Sequence, residues 1–180
     1  MEDVLRYLGI KGELTEELKE DISLMQNKAR SLQPTHVSAY FSIIQHNNGC
    51  YLQGTDINLC GNLAKKQFSS CRGVVVVLAT LTLKSELLLK QVFAVSPSKA
   101  VILDAVLTDQ LEKYLDSIEE ELKVTYGDIK GRISCGYGDL DISMQKALYV
   151  LLDGQRIGVK LHDSFMLTPN KSVIALIGVV

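Results

Sequence analysis

The sequence predicts an α+β fold: a twisted, largely antiparallel mixed sheet with helices packed against it. Three observations lead there. The hydrophobic period switches along the chain between steps of three and four and steps of two, the marks of amphipathic helices and half-buried strands. One run, Val74 to Leu81, is apolar almost throughout, as expected of a strand covered on both faces. Strands and helices also fail to alternate strictly, which argues against a parallel βαβ winding.

Taken in order, residues 3–9 suit a short helix ending at Gly9. Residues 15–32 predict a stronger one, with Thr15 as cap, Glu16 and Glu17 in the first turn and Pro34 just beyond the end. Leu18, Ile22, Met25, Ala29 and Leu32 give it one buried stripe. From Val37 the period becomes two, with Val37, Ala39, Phe41 and Ile43 on one face. Asn47-Asn48-Gly49 signals a turn, and residues 50–52 a returning strand. Residues 56–70 read as a helix capped near Asp56 or Asn58. The apolar run after Gly73 is the expected centre of the sheet. Two helices follow, over 84–94 and 97–123, the second opened by Ser96-Pro97. Its seam is Leu107, Leu111, Leu115, Ile118 and Leu122, with Glu112 beside it. A helix near 142–153 and strands over 157–161 and 172–179 complete the pattern.

A length of 180 residues suits one domain, with residues 1–35 as a helical N-terminal extension. Hydrophobic residues at 47% and charged residues at 22% supply a proper core and argue against wholesale disorder. The net charge is -2 with lysine and arginine scattered, so a nucleic-acid partner is not expected. No apolar run approaches the roughly 18 to 20 residues of a membrane span, and the first residues lack a signal-peptide plan. Cys50, Cys60, Cys71 and Cys135 form no C-x-x-C pair, which fits reduced thiols in a cytoplasmic protein. His46 and Cys50 are too few to hold a metal, and none is predicted.

Chemistry concentrates in residues 132–139, Arg-Ile-Ser-Cys-Gly-Tyr-Gly-Asp. Arg132 offers a planar fork of donors for a carboxylate or phosphate. Gly136 and Gly138 allow close backbone approach, and Tyr137 adds a flat face and a hydroxyl. Each has a plainer alternative. An arginine at a strand start usually pairs with a surface carboxylate, and Gly-Tyr-Gly-Asp is usually a turn in which Asp139 bonds its own backbone. Glu112 beside a leucine seam is usually a solvated flank. Cys135 with His162 as base would make a thiol nucleophile, whereas a cysteine in a turn is more often inert.

Arg132, Gly136 and Tyr137 form an Arg-x-x-x-Gly-Tyr motif. An ordered series follows it: Gln145, residues 157–161, Ser164-Phe165-Met166, Pro169-x-Lys171-Ser172-Val173 and Gly178. On these residues the chain resembles the S-adenosylmethionine-binding activation domain of cobalamin-dependent methionine synthase, in its short, free-standing form. Cys135 stands where that family usually has proline, and His162-Asp163 where Thr-Glu is common.

The resemblance implies a twisted antiparallel sheet bent around helices, and a ligand site made by Arg132, Gly136, Tyr137 and Gly138 with Glu112 on the preceding long helix. Arg132 would take the ligand's carboxylate and Glu112 its ammonium. It implies a reactivation role, with S-adenosylmethionine as cofactor and cobalamin carried by a partner methionine synthase or corrinoid protein. An electron-donor protein such as a flavodoxin would complete the system. The chain lacks the Asp-x-His-x-x-Gly of cobalamin ligation, so catalysis would need that partner. The alternative is a non-catalytic ligand-binding or structural subunit that keeps the fold without S-adenosylmethionine.

Overall fold

A computed structural model describes residues 2–180. Helices α1 (Glu2–Leu8) and α2 (Glu16–Ala29) open the chain, and Thr15 caps α2 through the N–H of Leu18 at 3.3 Å. Strands β1 (Thr35–His46) and β2 (Gly49–Leu52) form a hairpin that closes with His46 opposite Gly49, where the Asn-Asn-Gly turn predicts it.

The next stretch corrects the sequence reading. Instead of one helix over 56–70, a third strand β3 (Asn58–Cys60) pairs with β2, and helix α3 (Asn62–Phe68) starts only after Gly61. Neither Asp56 nor Asn58 caps it. The cap comes from Asp139, whose carboxylate accepts from the N–H groups of Asn62 and Leu63 at 2.5 and 2.9 Å. A carboxylate suits a helix N-terminus because it satisfies orphan donors and complements the dipole.

Strand β4 (Gly73–Thr80) is buried at every position and lies between β1 and the C-terminal strand β8 (Ser172–Val179). Its side chains point alternately to two cores. Val75, Val77 and Ala79 meet the helices α1, α2, α4 (Thr82–Val95) and α5 (Pro97–Tyr126). Val74, Val76 and Leu78 meet α3, α6 (Met144–Leu151) and the β-hairpin. Burial of each of these valine and leucine side chains contributes on the order of 1.5–3 kcal/mol, so the doubly covered strand anchors the molecule. The N-terminal helices belong to the first core: Val4, Ile22 and Met25 are fully buried there against α5.

The six-stranded sheet runs β3-β2-β1-β4-β8-β5, every pairing antiparallel, with β5 (Ile133–Ser134) at the edge. A second correction concerns 157–161. Gly154–Ile157 is a 3-10 turn, and only β6 (Lys160–Leu161) is extended, pairing with β7 (Leu167–Thr168) as a small separate ribbon. Gly158 takes φ +76, a left-handed conformation that interrupts an extended run.

Candidate functional site

Helix α5 supplies one wall of the site. Ser96 caps it through the Lys99 N–H at 3.4 Å, Pro97 occupies its first turn, and thirty residues carry it across the sheet, a length of about 45 Å at 1.5 Å per residue. Leu107, Leu111, Leu115 and Ile118 are buried along its seam. Glu112, Asp116 and Glu119 follow one position behind, and their spacing of four and three places them on one face.

The chain leaves α5 at Gly127 and returns along the sheet edge. Lys130 donates its N–H to Gly178 at 2.8 Å, and Ile133 and Ser134 pair with Leu176 and Ala175. This return sets Arg132 beneath α5. Its Nη1 donates to Asp116 Oδ1 at 2.8 Å and Glu119 Oε1 at 2.6 Å, and Nη2 donates to Glu112 Oε2 at 2.7 Å. Arg132 thus pairs with carboxylates, as the plainer reading of an arginine at a strand start has it. Partial burial disfavours the charged guanidinium, but the hydrogen bonds it donates to Glu112, Glu119 and Asp116 outweigh this and raise its pKa. Three carboxylates around one cation leave two negative charges in excess.

The bend after β5 is held by its own backbone. Gly136 donates to the Leu140 carbonyl at 2.8 Å, and Leu140 to that of Tyr137 at 3.0 Å. Gly136 and Gly138 have φ of +85 and +56, which favour glycine. Added Cβ atoms there would point at Ile142 and Leu63. Asp139 spends its carboxylate on α3, not on its own turn.

Between α5 and this bend lies a hollow of about 270 Å³. Glu112, Arg132, Ser134 and Tyr137 line it over a floor of Leu115, Ile133 and Val173. Three of the five residues singled out from sequence therefore share it; Gly136 and Gly138 shape the bend but are not among its lining residues. Tyr137 is 72% exposed, so its ring is open to a ligand. Larger grooves exist, one of about 420 Å³ between α1, α4 and α5 and one of about 680 Å³ beside Thr82 and Gly158. Neither lining combines a cation, a carboxylate and an aromatic hydroxyl.

Asp116 and Glu119 are missed by the sequence reading, although their spacing from Glu112 is visible in the sequence. Cys135 is buried, and burial pushes its thiol up to about 11, so it is protonated near neutrality and unsuited to nucleophilic attack. His162 bonds Thr168 Oγ1 at 2.6 Å. Gln145 is also structural, joining α6 to the carbonyl of Phe165 at 2.5 Å. Among the described residues no group of three or more His, Cys, Asp or Glu could hold a metal ion. No described helix is long and apolar enough to cross a membrane.

No family model and no curated protein matches the sequence. Among solved structures, the chain is similar to the crystal structure of the MetH reactivation domain bound to AdoHcy. The TM-score is 0.67 and the identity 14%, over 97% of this chain and 72% of that one. At that identity the likeness establishes the architecture: this chain has the α+β fold of a methionine synthase reactivation domain.

Proposed function

We propose that the chain is an S-adenosylmethionine-binding reactivation module, supporting reductive methylation of cob(II)alamin on a cobalamin-dependent methionine synthase or related corrinoid methyltransferase. The cobalamin would be carried by a separate partner chain, and the electron would come from a donor protein such as a flavodoxin. One observation carries the reading. Arg132, Glu112 and Tyr137 meet at a single hollow, in a fold shared with a reactivation domain bound to AdoHcy.

The residues suit the ligand. The ligand's carboxylate matches the guanidinium fork, and its ammonium matches Glu112. Two excess negative charges attract a ligand that carries both an ammonium and a sulfonium. The hollow of about 270 Å³ falls just below the usual range of ligand sites, roughly 300–1,000 Å³. It suits the amino-acid end, with the adenosyl part lying along the exposed Tyr137 ring. S-adenosylmethionine, when bound, supplies the methyl group. The chain's own residues would fix its position and orientation.

A second reading is a structural or ligand-sensing subunit that keeps the fold without S-adenosylmethionine. It is favoured by the same guanidinium being held by three carboxylates already. Calorimetry with S-adenosylmethionine on wild type and Arg132→Ala separates the two. Binding heat from wild type that disappears in the variant supports the module. Silence from both proteins supports the structural subunit.

A further inference from the structure

We propose that the outward face of α4 is a self-association surface, on which two copies of the chain pair antiparallel as a homodimer. The inference stands apart from the ligand reading, since no residue of α4 lines the hollow at Arg132.

Eight of the fourteen residues of α4 are apolar, yet only Ser85 and Val92 are buried. A helix that is apolar round most of its circumference normally lies inside a protein. Leu83, Leu87, Phe93 and Val95 are instead half exposed or more. Leu83, Leu87, Lys90 and Ala94 follow at steps of four, three and four, which aligns them along one outer face. On one flank Phe93 edges the groove of about 420 Å³ toward α1 and α5. On the other, Val95 edges a groove of about 400 Å³ toward α2. The helix is thus a ridge with a mostly apolar crest between two largely apolar grooves, the kind of surface that marks an association site.

Charge selects the occupant. Glu86 stands four residues before Lys90, the order that favours an ion pair within one helix, yet the two are not paired. Glu86 accepts from the Asn170 N–H at 2.8 Å through Oε1. Lys90 forms no ion pair among the described residues. In a two-fold contact, residue i meeting residue j requires j to meet i. With α4 crossed antiparallel on its copy about an axis beside Leu88, Leu87 meets Leu87 at the centre. Glu86 and Lys90, two residues either side of Leu88, then come level on the same edge, and the pair forms twice. Leu83 and Phe93 come level in the same way, an exposed leucine against an exposed ring. The ridge therefore carries both halves of its own charge complement. A purely acidic partner would instead leave Glu86 facing a like charge. A contact about 21 Å long belongs with small specific interfaces near 1,200 Å², so the dissociation constant should lie at about 1–100 μM.

The test is sedimentation equilibrium of the full chain from low to high micromolar concentration. Wild type should move from 19.9 kDa to twice that mass. Leu87→Asp should stay monomeric, with a circular dichroism spectrum like that of wild type, since Leu87 already faces solvent in one copy. Lys90→Glu sets two carboxylates against each other at each edge and should weaken the dimer about tenfold or more. Adding Glu86→Lys to Lys90→Glu reverses both charges and should restore most of the affinity, although the exposed bond to Asn170 is lost. A wild type that stays at 19.9 kDa throughout overturns the proposal and leaves the ridge to a different protein. A dimer indifferent to Leu87→Asp places the contact elsewhere and overturns it too. A dimer that the double reversal fails to recover overturns the antiparallel pairing. None of these outcomes bears on S-adenosylmethionine binding, which calorimetry on the same samples reads separately.

Discussion

Asp139 caps a helix that begins 77 residues earlier in the chain, its two carboxylate oxygens accepting from the backbone N–H groups of Asn62 and Leu63. The bend that carries Tyr137 is therefore tied to α3, and α3 to the β2–β3 hairpin through Leu59, Ala64 and Phe68 in one core. Asp139 thus ties the end of the motif stretch to α3, as Arg132 and the β5–β8 pairing tie its start to α5 and the sheet.

Asp139→Ala should lower the melting temperature by a few degrees, as loss of a helix cap does, and speed hydrogen exchange at Asn62 and Leu63. The backbone N–H groups of Leu63 and then Asn62 hold the Asp139 carboxyl below its ordinary pKa. The cap's contribution is therefore complete above the unfolded carboxyl value, near ~4, and is lost as pH falls through the lower folded value. Melting curves of wild type and variant should differ at pH 7 and converge in strong acid. An undiminished gap in acid would show that the charge is not what matters.

Tyr137→Ala should weaken S-adenosylmethionine binding by about two- to thirtyfold, the span of a cation–π contact from exposed to desolvated. With the side chain 72% exposed, the melting temperature should hardly move. Parallel titration and thermal denaturation check both halves. Unaltered affinity would remove the ring from the ligand site.

Iodoacetamide at pH 7.5 should modify Cys60, which is exposed, well before the other thiols. Burial pushes the thiols of Cys50 and Cys135 up to about 11 and raises that of Cys71, so all three are both shielded and protonated. They should react only on addition of denaturant, as read by peptide mass spectrometry. Preferential labelling of Cys135 in the folded protein would revive it as a nucleophile.

Gly73→Ala should cost about 1–3 kcal/mol, the range for overpacking. An added Cβ would lie 2.4 Å from the Tyr40 ring, which is stacked on Tyr126 at 5.1 Å between centroids. Combining it with Tyr40→Ser should recover much of the loss, because the obstructing ring is gone. Denaturant titration of the two single variants and the double variant measures the coupling. Strict additivity would mean the backbone, and not the ring, sets the cost.

Much of the architecture was legible in the sequence because periodicity reports burial directly. The four-step seam of α5, the Thr15 cap, the Asn-Asn-Gly hairpin and the doubly buried strand at Val74 are local patterns, and each appears where the pattern puts it. Two local readings failed, each for its own reason. Over 56–70 the three-residue strand β3 takes its hydrogen bonds from β2 and has too few positions to display a period. Over 157–161 a 3-10 turn and the left-handed Gly158 leave only Lys160 and Leu161 extended.

The sequence alone, then, determined the sheet's central strand, the long helix, the fold class and the residues worth watching at 112 and 132–138. Tertiary structure decided what those residues touch. Glu112, Asp116 and Glu119 converge on Arg132 because the chain doubles back at Gly127 and pairs with β8. Asp139 finds its donors on a helix far away in sequence. Side-chain partners of this kind depend on where two segments are laid side by side, and a linear pattern of polar and apolar residues carries no record of that distance.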